Sequence, residues 1–186
     1  MTTRFCIAAL LMSASLSVAA DEFSELLASA VEAYESGDLA AASEDLSFAQ
    51  QHLTTRQGEA FAQLLPEPLE GWTREVDMQQ NAAMGMLGGG LSVEGSYTGE
   101  SGSFTISMMA DNPGMMQMAG MYSNPQMLAT MGEVIRIRRQ SFVINRSGEI
   151  SGVVGGRTLI QASGRAPRED ILAHLEAMDF NAINAR

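Results

Sequence analysis

The chain has one cysteine, Cys6, and no lysine. Cys6 stands inside an apolar leader, so the rest of the chain must fold without disulfides, and thiol nucleophiles and Schiff-base lysines are both excluded. Histidine is scarce too. His52 and His174 lie in different segments, and neither belongs to a His-Glu-x-x-His metal pattern. Positive charge is limited to 11 arginines against 22 Asp and Glu. That balance excludes a nucleic-acid binder, which needs a basic surface to displace counterions, and a binder of anionic headgroups. Beyond the leader no apolar run is long and uninterrupted enough to cross a bilayer, which takes about 20 residues.

What is present begins with that leader. Arg4 precedes the apolar run Phe5 to Met12, small residues end at Ser17-Val18-Ala19-Ala20, and Asp21-Glu22 follow at once. This order is that of a cleavable secretory signal over 1–20, with cleavage between Ala20 and Asp21. No small-residue pattern puts Cys6 at a cleavage site for lipidation. The expected address is the periplasm or the exterior. Removing 1–20 takes away Arg4 and no acid, leaving 22 carboxylates against 10 arginines, a formal charge of −12.

Composition changes at Pro66-Glu67-Pro68, dividing the remainder into a helical segment, 21–65, and an α+β domain, 66–186. In the first, Leu26, Leu27, Ala30, Ala33 and Tyr34 recur at helical spacing. Ser36-Gly37-Asp38 stops that helix, with Gly37 suited to the left-handed C-cap. A second helix runs from Asp38 through Ala42, Leu46, Ala49 and Leu53 toward Leu65. So short a turn predicts an antiparallel pair. The pattern Tyr34-x-x-Gly37-Asp38-x-x-x-Ala42-x-x-x-Leu46-x-x-Ala49 resembles one unit of the tetratricopeptide family. Over 26–53 the resemblance implies a helix pair, and with no second copy it implies no peptide-binding superhelix.

The second segment alternates apolar and polar residues. Strands are expected at 73–78, 91–97, 103–109, 134–138, 141–144, 150–154 and 157–162, with hairpin turns at 98–102, Arg146-Ser147-Gly148 and Gly155-Gly156. Asn112-Pro113 and Asn124-Pro125 predict helices at 113–122 and 125–131, the second ended by Gly132. Asn81 to Gly90 is expected to be a loop or short helix. Pro167 opens a last helix with the stripe Ile171, Leu172, Leu175, Met178, beside which His174 is expected on the helix surface. In the last strand the alternation of Leu159 with Thr158 and Ile160 predicts one wet and one dry face. The fold class is α+β: an N-terminal antiparallel helix pair, then an antiparallel sheet of about six strands covered on one face by helices.

Catalytic motifs are lacking. Gly99-Glu100-Ser101-Gly102 fails the Gly-x-Ser-x-Gly pattern, and Gly88-Gly89-Gly90 lacks the Gly-Lys-Ser/Thr of a phosphate loop. An enzyme would need acid–base work from residues such as Glu100 or Asp111. Methionine is the unusual abundance: 14 in all, 11 of them between Met78 and Met131. Thioethers are soft ligands for Cu(I), and Met115, Met118 and Met121 would share one side of a helix. The same residues make an ordinary packing stripe. Met84, Met86, Met116 and Met127 are candidates for an exposed, adaptable partner surface. Arg136, Arg138 and Arg139 form the only positive cluster, with Arg136 and Arg138 on one strand face, an arrangement that could clamp a carboxylate or phosphate but is expected to pair with the acidic surface. The expectation is an exported non-enzymatic binding domain, without cofactor, for another exported protein or a small apolar ligand. The alternative is a periplasmic Cu(I) carrier or sensor using the clustered methionines.

Overall fold

The computed structural model describes residues 21–78, 90–112, 120–122 and 124–185. The chain forms two compact units, one reaching Gln50 and the other Gln51–Arg186. Among the described residues no helix is long and apolar enough to cross a membrane.

In the first unit the local sequence accounts for both helix ends. Asp21 caps α1 (Glu22–Glu35) by accepting the Ser24 N–H at 3.0 Å, and Glu22 and Glu25 face the positive end of the helix dipole. Gly37 takes φ +85°. There the Asp38 N–H reaches the Ala33 carbonyl at 2.9 Å and the Gly37 N–H that of Tyr34 at 3.1 Å, a Schellman ending. Asp38 also accepts the Ala41 N–H at 3.0 Å and so caps α2 (Leu39–Ala62). One residue closes the first helix and opens the second, as the Ser36-Gly37-Asp38 signal predicts.

The second unit is built on seven antiparallel strands, one more than the six expected: β1 (Trp72–Asp77), β2 (Leu91–Gly99), β3 (Gly102–Ala110), β4 (Glu133–Ile137), β5 (Gln140–Ile144), β6 (Ile150–Val154) and β7 (Thr158–Gly164). Their order is β1-β2-β3-β7-β6-β5-β4. Two meanders, β1–β3 and β4–β7, are joined where β7 returns to β3, from Phe104 opposite Gly164 to Ala110 opposite Thr158.

The inner face carries Val93 and Tyr97 from β2, Phe104, Ile106 and Met108 from β3, and the alternate residues of β5–β7. It is covered by Ile171 and Leu175 of α4 (Arg168–Ala177), by Phe180 and Ile183 of α5 (Phe180–Ala185), and by Phe61 and Leu65. Burying each such Phe, Leu or Ile contributes about 1.5–3 kcal/mol. Two aromatic rings on this face lie over glycines directly across the ladder, Trp72 over Gly99 and Phe142 over Gly152, and Gly164 stands hard against the backbone of Phe104 across from it. A methyl group on Gly152 would stand 2.5 Å from Phe142 Cδ1, so the missing side chain is what lets the ring lie flat.

The opposite face is divided. Toward β1 it is polar, with Thr73, Thr98, Ser103 and Thr105 in adjoining register. Toward β5–β7 a second apolar cluster forms, in which Tyr122 and Leu128 pack on Val143 and Leu159. Leu128 belongs to α3 (Pro125–Met131), capped by Asn124 through the Gln126 N–H at 3.0 Å and ended by Gly132, as the Asn-Pro signal predicts. This second cover corrects one expectation. Thr158, Leu159 and Ile160 are all buried, so β7 has no wet face along its first half.

Residues 120–122 are helical, which agrees with the end of the helix expected at 113–122; 113–119 and the expected loop at 81–89 lie outside the described residues. The C-terminal helix divides in two, because Asp179 turns its carboxylate onto the Asn181 and Ala182 N–H groups and starts α5.

Candidate functional site

On α1, Phe23, Leu26, Ala30 and Ala33 lie along one line and are buried or half-buried. Leu27, Val31 and Tyr34, at spacings of four and three, form a neighbouring line that is 36% to 68% exposed. α2 repeats the division. Ala42 and Ala49 are buried, while Leu39, Leu46 and Leu53 recur every seven residues, lie on one line and remain exposed, as does Phe48. The positions that the helical spacing groups together thus divide into a buried line and an exposed one. With alanines at the buried positions, leucines one step around the helix stay in water. The segment from Asp21 to Gln50 carries eight carboxylates and no arginine, so these apolar lines run through a strongly negative field.

The methionines separate by address. Met108 and Met178 are in the main core, Met109 and Met131 pack against the second cluster, and Met121 and Met127 are 39% and 42% exposed. Of the candidate Cu(I) ligands only Met121 is described; Met115 and Met118 lie outside the described residues. Of the candidate partner surface, Met127 points outward beside the buried Leu128, and Met84, Met86 and Met116 lie outside. Neither predicted set lies wholly within the described residues.

His174 is fully buried, which corrects its expected place on the helix surface. Its ring meets Trp72, Tyr97 and Phe104 at centroid distances of 5.2, 5.1 and 5.0 Å. Nε2 accepts the Leu69 N–H at 3.2 Å, so the ring proton sits on Nδ1 and donates to the Asp170 carbonyl at 2.8 Å. The imidazole pins the Pro66–Leu69 segment to the sheet. Nearby, the Tyr97 hydroxyl donates to the Pro66 carbonyl at 2.7 Å, and Arg74 Nη1 donates to the Leu65 and Pro66 carbonyls at 3.0 and 2.9 Å. Burial pushes the Tyr97 phenol up to about 12, against a smaller opposing pull from the Arg74 guanidinium. These groups are structural ties. Their signal in the sequence is weak, because a histidine three residues after Ile171 reads equally as inner or outer.

The arginine cluster also differs from expectation. Arg138 is not on β4 but in the two-residue turn to β5, where Arg138 (φ +43°) and Arg139 (φ +72°) both take left-handed backbone. Among the described residues none of Arg136, Arg138 and Arg139 meets a carboxylate. Arg138 Nη1 donates to the Met178 carbonyl at 3.2 Å, and Arg136 Nη2 approaches the Arg139 carbonyl at 3.4 Å. A polar cleft of about 340 Å³ adjoins this turn, lined by Arg139, Gln140, Ser141, Gly155, Gly156 and Asn184.

The residues named for acid–base chemistry do not converge. Glu100 is in the β2–β3 turn, whereas Asp111 follows β3 and is held by Arg157, whose Nε donates at 3.0 Å. No protein-family model, no curated protein and no solved structure matches this chain.

Proposed function

We propose that this chain is an exported, non-enzymatic binding domain whose helix pair docks a cationic amphipathic segment of another exported protein. The supporting observation is the pairing of exposed apolar lines with single-sign charge. Leu27, Val31 and Tyr34 on α1, and Leu39 and Leu46 on α2, stand in water amid eight carboxylates. An apolar surface of this kind gains by being covered. A second copy of the same unit would bring eight more negative charges, whereas a lysine- and arginine-rich helix brings opposite ones.

The test is fluorescence anisotropy with a labelled Leu/Lys amphipathic helix and its Leu/Glu counterpart. Saturable binding of the first alone is expected, weakening as salt shortens the Debye length from about 10 Å at 0.1 M to 3 Å at 1 M. Leu39→Ser together with Leu46→Ser should lower that affinity at least tenfold without changing thermal stability. Equal binding of both peptides, or of neither, would sink the proposal.

A further inference from the structure

A two-residue hairpin with positive φ at both central positions is the turn for which Asn-Gly is the low-strain sequence. Here the positions hold Arg138 and Arg139 instead. Strained left-handed residues that are not glycine concentrate at ligand clamps, because the surrounding structure holds them for what their side chains do. Packing does not explain Arg139, which is exposed. Ion pairing does not explain it either, since among the described residues its guanidinium has no carboxylate. Carboxylates of the surrounding elements are engaged elsewhere: Asp179 caps α5, Glu133 pairs with Arg168, and Asp111 pairs with Arg157.

The cleft beside the turn collects further unused donors. Ser141 and Asn184 line the same cavity as Arg139, and among the described residues neither side chain has a hydrogen-bond partner. Its floor is the Gly155-Gly156 turn. A Cβ on Gly155 would lie 2.6 Å from Asn184 Oδ1, so the glycine is what lets that amide settle against the turn. A guanidinium, a hydroxyl and an amide on residues lining one polar cavity are groups that can receive an oxyanion with hydrogen-bonding neighbours. We infer that this cleft binds the oxyanion group of a small ligand, carboxylate or phosphate, with Arg139 as its charged contact and Ser141 and Asn184 orienting it.

The experiment is an amide NMR titration of the purified protein with sodium acetate and, separately, inorganic phosphate, at constant ionic strength against sodium chloride. Saturable shifts are expected at Ser141, Gly155, Gly156 and Asn184. A response to acetate alone identifies a carboxylate ligand, to phosphate alone a phosphate ligand, and to both a general oxyanion site. The decisive variant is Arg139→Gly, which relieves the left-handed strain. It should melt at the same or a higher temperature while binding at least tenfold more weakly, whereas Arg165→Gln, on another surface, should bind like the parent. A merely structural Arg139 would show no such opposition of stability and binding. Shifts that fail to saturate, that match chloride, or that survive in Arg139→Gly would overturn the inference.

Discussion

Tyr97→Phe removes one oxygen from the inner face of the sheet and leaves the ring stacked on Phe104 at 4.9 Å. The hydroxyl donates to the Pro66 carbonyl at 2.7 Å, but that carbonyl keeps the Arg74 guanidinium at 2.9 Å, so no buried acceptor is orphaned. The cost near neutral pH is therefore that of one ordinary hydrogen bond, about 1 kcal/mol. Alkaline behaviour is the sharper test. Burial raises the folded phenol from 10.0 to about 12. A raised folded value means the contribution is intact below the unfolded value and disappears as pH rises through the folded one. Two units correspond to roughly 3 kcal/mol in full, of which roughly 1 kcal/mol is gone by about pH 11. Urea denaturation of parent and variant near pH 8 and about pH 11 reads this directly. The stability gap should close at the higher pH, because only the parent has this proton to lose. If both proteins lose the same stability, the buried Tyr97 tie is not what titrates.

Other substitutions follow from the same packing. His174→Phe keeps an aromatic ring in the cluster but strands the Leu69 N–H, and should cost about 1–3 kcal/mol by denaturation. Gly152→Ala pushes a methyl group into Phe142 and should cost about 1–3 kcal/mol, since the ring is held between β5 and α5. Met127→Glu replaces an outward side chain and should change stability by less than about 0.5 kcal/mol. In competition with a Cu(I) chelator, the protein should take up no copper. Binding tighter than the chelator would revive the methionine cluster as a metal site.

Local signals were the legible part of this fold. Gly37, Asp38, Asn124 and Pro167 each act within a few residues, and each marks a helix end in the structure. Apolar runs between turn signals located the described strands for the same reason. What depended on distant contacts was less visible. The pairing of β7 with β3 joins residues far apart in sequence, and the cover that α3 places over Leu159 is set by tertiary packing. His174 was misplaced because its burial requires Trp72, Tyr97 and Phe104 to arrive from three strands. The exposed lines on the helix pair were hidden by a bias of the helical wheel. Leucines adjacent to an alanine seam fit an amphipathic stripe equally well whether or not anything covers them. Yet the seven-residue recurrence of Leu39, Leu46 and Leu53 beside Ala42 and Ala49 was readable as a second line.

Site-specific photocrosslinking in the producing cell tests the docking account most directly, with the reactive group at Leu46 and a control at Glu176. The account predicts discrete adducts at Leu46, mapped by mass spectrometry to arginine- and lysine-rich amphipathic segments of exported proteins and absent at Glu176. Adducts equal at the two positions, or falling on acidic segments, would contradict it.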